Sequence, residues 1–267
     1  MPKVSVIIPA YNSERTISES IESIIAQTYT DWEIIVCDDF SQDGTYEIAN
    51  KYADINTNIK VIRNDENLGA GLSRNQCIQN TKGEYIVIQD ADDIALPNRI
   101  FEQISFLDDN PEYAMVGAGC NVFNKDGVYS TMMPPSYPTV KSLRNSTALL
   151  SPTITFRRDA LLKAGLYKGR DKVARAEDYE LIARMYSRGY IGHNIQKVLI
   201  LYRLEDEDYK KRKFTHRVQL VMIKYRVFKM LHFRWYEYIY IFKALVAGLI
   251  PLGLLKKYHR RKYSRLS

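Results

Sequence analysis

Residues Gly83 to Asp93 read GEYIVIQDADD, and the fold turns on how that stretch is read. Tyr85 to Gln89 is a short apolar run of strand-forming residues. A glycine opens it, and three carboxylates in four positions, Asp90, Asp92 and Asp93, close it. A buried strand therefore delivers acid to its own C-terminal end. Carboxylates that close raise one another's pKa, and they stay ionised together only with a cation or many donors among them. Oxygen ligation of a divalent metal, with coordination left for phosphate, meets that requirement. A solvated acidic turn capping a helix that begins near Asn98 is the simpler alternative.

Outward from this stretch, strands and helices alternate. Lys3 to Ile8 reads as a strand stopped by Pro9, and Asn12 or Ser13 is placed to cap a helix carrying Ile17, Ile21, Ile24 and Ile25 at helical spacing. Trp32 to Val36, Ile59 to Arg63 and Tyr85 to Gln89 are further strands. Thr45 to Tyr52, Gly71 to Thr81 and Asn98 to Leu107 are the helices that follow them. Four strand-helix units predict a mainly parallel sheet with helices on both faces, and ligands then bind beyond the C-terminal strand ends. Three such ends carry unusual residues: Pro9 to Asn12, Asp38-Asp39 before FSQDGT, and the Asp90 cluster. Ser41, Asp43, Gly44 and Thr45 are also good turn and cap formers, but a turn does not require two aspartates at the end of the strand before it.

Gly69-Ala70-Gly71 before a helix is half of a dinucleotide fingerprint, lacking the third glycine and following the third strand instead of the first. Arg74 on that helix faces solvent or a phosphate, and its position alone favours solvent. Ala114 to Met133 reads as a hairpin around Lys125-Asp126-Gly127. A helical stretch follows Pro138, then a strand from Thr153 to Arg157 and a helix from Asp159 to Ala164. The loop Gly165 to Arg175 holds Lys168, Arg170, Lys172 and Arg175 and leads into Glu177-Asp178 at a helix start, where capping and chemistry are both open. Val198 to Tyr202 is the last strand, ending in Arg203.

With 267 residues, 46% hydrophobic and 26% charged, the chain is long enough for a substantial core and is not of disordered composition. Cys37, Cys77 and Cys120 are odd in number and far apart, which makes neither a disulfide framework nor a zinc pattern, and the two in apparent strands, Cys37 and Cys120, read as buried thiols in a reducing compartment. The N-terminus reaches a strand too soon for a signal peptide. Charge is split: residues 209–267 hold 16 Lys or Arg against the single acid Glu237, while residues 1–208 hold 22 basic against 30 acidic residues. A basic tail on an acidic body predicts contact with a polyanion, either nucleic acid or an anionic membrane.

Five of these segments occur together in order: VSVIIPAYN from Val4, CDDFSQDGT from Cys37, Asn67-Leu68-Gly69 with Arg74-Asn75, Asp90-Ala91-Asp92-Asp93, and Glu177-Asp178. Together they resemble the family 2 inverting glycosyltransferases of bacterial polysaccharide type, over about residues 3 to 203. The resemblance implies an α/β, Rossmann-like GT-A fold and a nucleotide-sugar donor, a UDP-sugar, bound across the sheet tips. It implies that Asp39 accepts the uracil N–H, that Pro9, Ala10 and Tyr11 line the base, and that Arg74 meets phosphate. Asp92 would ligate a Mn²⁺ or Mg²⁺ ion, Asp90 would steady the ribose or the metal shell, and Asp178 would act as base with Glu177 as neighbour or substitute. Two positions depart from the pattern. Phe40 stands where glycine is usual, and Glu205 stands where many relatives place a histidine, leaving Arg203 as its substitute on the diphosphate.

These readings divide the chain into a catalytic domain, 1–208, and a basic, apolar helical tail, 209–267. Tyr238 to Leu255 is of marginal length for a membrane span, has basic residues on both flanks, and reads as lying in the cytoplasmic leaflet, on anionic headgroups. Packing of this segment on the catalytic body is the alternative. The expected enzyme is a metal-dependent transferase at the cytoplasmic membrane face, acting on a lipid-linked or growing glycan, with no nucleic acid partner. A nucleotidyltransferase normally needs a glycine-rich basic loop after the first strand, which Pro9 to Asn12 is not. A nucleic-acid binder does not account for the tail's apolar run.

Overall fold

In a computed structural model, which describes residues 1–145, 147–169, 176–205 and 214–246, the four expected strands β1 (Val4–Ala10), β2 (Trp32–Asp38), β3 (Ile59–Arg63) and β4 (Tyr85–Ile88) run parallel in the order β3-β2-β1-β4. Alternation along β1 explains why helices cover both faces. Val4, Val6 and Ile8 join one buried cluster with Ile17, Ile21 and Ile24 of α1 (Ile17–Ile25) and with Ile100, Ile104 and Leu107 of α4 (Arg99–Asp109). Ile7 points the other way, into a cluster with Cys77 and Ile78 of α3 (Ala70–Gln79). The β2-β3 crossover is α2 (Thr45–Ile55).

Gly83 is required where β4 begins. A Cβ there would stand 2.7 Å from the Ser5 nitrogen and 2.8 Å from the Val4 carbonyl carbon, so only glycine lets β4 lie against β1.

Beyond β4 the sheet changes sense. Strand β8 (Thr155–Arg157) is antiparallel to β4 and to β6 (Tyr113–Asn124); β6 in turn pairs parallel with β9 (Ile191–Arg203). The predicted hairpin is present as β6 and β7 (Gly127–Met132). Two features are not in the sequence reading. A two-residue strand β5 (Ile94–Ala95) pairs with β9 just after the Asp90 cluster, and β9 starts seven residues earlier than the apolar run, because its polar first half is paired along β6. The helix after Pro138 is a short 3₁₀ turn, Val140–Arg144, and another, Ser151–Thr153, precedes β8. Helix α5 (Arg158–Ala164) ends on Gly165 in the left-handed conformation, and α6 (Glu177–Ser187) follows. Helix α6 is buried on all sides from Tyr179 to Tyr186, not along one face. Of the tail, α7 (Phe214–Met230) and α8 (Ile239–Val246) are described, and Ile223, Val227, Phe228 and Ile241 pack into the main core. Residues 247–255 of the apolar run and the basic cluster after it lie outside the described residues. The three cysteines are free and buried.

Candidate active site

The tips of β1 and β2 are tied together first. Asp39 N donates to the Ala10 carbonyl at 2.8 Å, Asn12 N to Ser41 Oγ at 2.9 Å, and Gln42 N to Asn12 Oδ1 at 2.9 Å. Ala10 sits in the core, leaving Pro9 half-buried and Tyr11 exposed beside it. Asp38 turns inward. Its Oδ2 accepts from Arg63 Nε at 3.1 Å and Ser41 N at 3.2 Å, which makes it a brace for the turn.

Phe40 occupies the glycine position with the backbone glycine would adopt, φ 63°. The bulky residue has not changed the turn; it is held in a strained conformation while its ring lies 5.9 Å from the Arg63 guanidinium. Left-handed backbone costs a non-glycine residue about 1–2 kcal/mol, and glycine's extra unfolded freedom offsets about 0.5–1 kcal/mol of the relief. Phe40→Gly is therefore expected to leave the unfolding free energy level or raise it by up to about 1.5 kcal/mol in urea titration. A clear loss of stability would mean that the ring contact outweighs the strain.

Asp39 is buried and acts as a clip. Its Oδ1 accepts from Asn64 Nδ2 and Leu68 N, both at 2.8 Å, and its Oδ2 from Gly69 N at 2.7 Å. Gly69, at φ 89°, makes that reach possible and starts α3. A carboxylate has about four lone-pair sites, so one remains for a ligand.

Arg74, one turn into α3, is the centre of the site. It is 4% exposed, so the solvent-facing reading of its position is corrected: the charge is drawn inward by carboxylates that arrive from far along the chain. Its Nη2 donates to Asp90 Oδ1 at 2.8 Å, and its Nη1 stands 3.7 Å from Glu177 Oε1 and 3.5 Å from Asp178 Oδ1. The guanidinium also lies 5.4 Å from the buried Tyr167 ring. Tyr167 and Ser151 hydrogen-bond the Asp178 carboxylate. Asn75 clips Tyr167 in place through both backbone groups, at 2.9 and 3.0 Å.

Burial, then the Asp90 charge, raise the Asp178 pKa against the opposing pull of Arg74; burial and Asp178 raise that of Glu177. The N-cap of α6 is Ala176, with no side-chain cap, so capping does not explain Asp178. Tyr167 and Ser151 were absent from the sequence reading, where Asn75 stood only as the motif neighbour of Arg74, and the only local signal near Tyr167 is the helix-ending Gly165. Of the basic loop, Lys168 bonds Glu180 at 2.6 Å; Arg170, Lys172 and Arg175 lie outside the described residues.

The acidic tip of β4 separates into distinct environments. Asp93 is fully buried, accepts from Arg203 N at 2.9 Å through Oδ1, and is held well above the usual carboxylate range by burial and by Asp90 and Asp92. Asp93 is thus set apart from the ligand expected at Asp92, and among the described residues no group of three or more His, Cys, Asp or Glu is set to hold a metal. Nor does the cluster cap α4, whose N-cap Asn98 makes no side-chain cap bond. Asp90 is half-buried and Asp92 exposed. Arg203 braces their loop, its Nε donating to the Asp92 carbonyl at 2.8 Å and its Nη2 pairing with Glu19 at 2.5 Å. Arg99 braces it from below through the Ile88 carbonyl and Gln89 Oε1, at 2.6 and 2.7 Å. Two hard carboxylate donors on one rigid tip, one of them open to solvent, suit a divalent ion that keeps most of its shell for phosphate oxygens and water.

This mixed sheet, whose parallel half opens at its strand tips onto an arginine ringed by carboxylates, has the GT-A architecture of glycosyltransferases. The chain belongs to glycosyltransferase family 2: the family model "Glycosyl transferase family 2" matches residues 5–166, and the "Putative glycosyltransferase EpsE" of Bacillus subtilis is 37% identical over 98% of this chain and 94% of its own length. The UDP-Glc:alpha-D-GlcNAc-diphosphoundecaprenol beta-1,3-glucosyltransferase WfaP of Escherichia coli is 33% identical over 82% of this chain and 84% of its own. Among solved structures, S. aureus TarS in complex with UDP-GlcNAc superposes with a TM-score of 0.71 at 22% identity, over 90% of this chain and 73% of that one. The mannosyltransferase PcManGT from Pyrobaculum calidifontis, in complex with GDP-Man and Mn²⁺, gives 0.65 at 20% identity, over 96% and 79%.

Proposed function

We propose that the chain is an inverting, metal-dependent transferase that moves a sugar from a UDP-sugar to a hydroxyl of a lipid-linked or growing glycan in cell-surface polysaccharide synthesis. The observation that carries this reading is the convergence of Asp90, Glu177 and Asp178 on the buried Arg74. It is the arrangement expected where a donor's phosphates and an acceptor's hydroxyl must meet. Relatives of this chain that act on diphosphoundecaprenol-linked sugars support the acceptor class, and the association of such substrates with bilayers supports work at the cytoplasmic membrane face.

In this reading Tyr11 and Pro9 flank the base and the remaining lone pair of Asp39 accepts the uracil N–H. Asp90 and Asp92 hold Mn²⁺ or Mg²⁺, which when bound neutralises charge on the diphosphate. Arg74 adds fixed positive charge behind the phosphates. Arg203 is assigned chiefly to holding the Asp92 loop, since Glu19 and the Asp92 carbonyl occupy two of its nitrogens. Asp178 accepts the acceptor hydroxyl proton as that oxygen bonds the anomeric carbon; the carbon–oxygen bond to UDP breaks on the opposite face and UDP carries away the electron pair. The configuration inverts in a single displacement.

A screen of UDP-sugars with Mn²⁺, detecting UDP and the glycosylated product by mass, tests this. Release of UDP from one donor, lost with chelator and restored by Mn²⁺, is expected. Pyrophosphate release from a nucleoside triphosphate and a sugar phosphate would point to a nucleotidyltransferase instead, and turnover indifferent to chelator would remove the metal from the reading.

A further inference from the structure

Helices α7 and α8 are keyed to the body on one side and bare on the other. Inward, Ile223, Val227, Phe228 and Ile241 are buried in the main core, and Glu237 is buried against Arg144, Oε1 to Nη1 3.0 Å. Lys224 Nζ donates to the Arg144 carbonyl at 3.1 Å and stands 5.8 Å from the ring of Tyr179, the residue that follows Asp178. The pair is thus fixed to the helix whose first turn holds the proposed base.

Outward, the same helices and the 3₁₀ turn Trp235–Tyr238 between them show large apolar residues to solvent. Met222 and Tyr225 are about half exposed, Ile239 is 71% and Trp235 86% exposed, and Phe242 is exposed beside them. Arg226, Lys229 and Arg234 are exposed among these residues, while Glu237, the single acid of residues 214–246, faces inward. Protein-binding patches are depleted in lysine at their centres. Aromatic and aliphatic residues interleaved only with cations match the boundary between acyl chains and anionic headgroups. Among the described residues no helix is long and apolar enough to cross a membrane.

We infer that the outward face of α7 and α8 lies on an anionic phospholipid surface and thereby fixes the height of the Glu177–Asp178 end of α6 above it, where a lipid-linked acceptor is presented. The height argument rests on the acceptor class proposed above; the lipid contact does not.

The chain carries its own probe. Of its two tryptophans, Trp32 is 7% exposed within β2 and Trp235 is 86% exposed on this face. Vesicles of mixed phosphatidylglycerol and phosphatidylcholine should shift the emission of the full-length protein to shorter wavelength, and phosphatidylcholine alone should not. Trp235→Phe should abolish the shift while the protein still sediments with the vesicles. Replacing Arg226, Lys229 and Arg234 by glutamine should weaken co-sedimentation roughly a hundredfold, at about fivefold for each lipid-facing charge removed. UDP release with a soluble acceptor should be unchanged, which shows that the variant folds. Trp235→Ser with Ile239→Ser supplies a second variant that leaves charge alone and should also lose vesicle binding.

An unshifted wild-type spectrum overturns the inference, as do triple and double variants that bind vesicles normally, or a shift produced by RNA and not by vesicles. If vesicles bind as expected but no UDP-sugar is turned over, the lipid face stands and the transferase reading fails.

Discussion

Asp178→Asn is expected to lower transfer by about 10²- to 10⁴-fold, the usual contribution of a positioned general base, while the affinity for UDP-sugar stays at the wild-type level. Asn keeps the shape of the side chain and its contacts with Ser151 and Tyr167, but it cannot take a proton from the acceptor. The same change removes a charge that the site opposes, since burial and Asp90 raise the Asp178 pKa despite Arg74. A carboxyl whose folded pKa lies above its unfolded value binds its proton more tightly in the fold. Its contribution to stability is then fully present below the ordinary 3.8 and is lost as pH rises through the folded value. At neutral pH the neutral asparagine is therefore expected to leave the melting temperature unchanged or higher, so inactivity would not reflect unfolding. The acid limb of kcat/KM in the wild type should lie above the ordinary carboxylate range, because the base works only when ionised. Isothermal titration with UDP-sugar, single-turnover rates and thermal melts read these effects separately. If Asp178→Asn retains turnover and Glu177→Gln loses it, the base is Glu177, whose Oε1 stands 3.7 Å from the same guanidinium.

How much of this was legible in the sequence depends on how far each feature reaches along the chain. The parallel half of the sheet was legible because Val4, Val6 and Ile8 alternate within one strand, and Ile17, Ile21 and Ile24 repeat within one helix. The acidic tip of β4 was legible as a place but not as a set of roles. Asp92 and Asp93 are neighbours in sequence, yet one is exposed and the other buried, because Arg203, 110 residues further on, supplies a backbone donor to Asp93. Position alone turned Arg74 to solvent for the same reason. Its helix buries Gly71, Ser73, Arg74, Cys77 and Ile78, a mixed face in which a charged residue is not announced by spacing, and Arg74 is buried by partners outside its own helix. Phe40 could be recognised as out of place, but whether the backbone had yielded to it or held its φ of 63° was a matter for the structure alone.

Arg74→Met is expected to be the most damaging single change in the molecule. It strips the one cation that, among the described residues, stands between Asp90, Glu177 and Asp178, and leaves its partners with like charges facing one another. Breaking a buried ion pair from one side costs about 3–5 kcal/mol, and three carboxylates share this one partner. Arg74 holds the pKa of both Asp178 and Glu177 down, so without it both rise further above their ordinary 3.8 and 4.5. The stability deficit should then be small in acid, where the protonated carboxyls need no counter-charge, and should grow as pH rises through the elevated values. Melting curves of variant and wild type across pH would show two lines that converge at low pH and part toward neutrality. The acid limb of any remaining activity should move upward as well, since the base becomes harder to ionise. Arg74→Lys restores the charge without the fork that spans Asp90 and the α6 carboxylates, so it should recover much of the stability and little of the activity. A melting difference that stays constant with pH would mean that Arg74 contributes only packing, and that Glu177 and Asp178 do not depend on it for their charge.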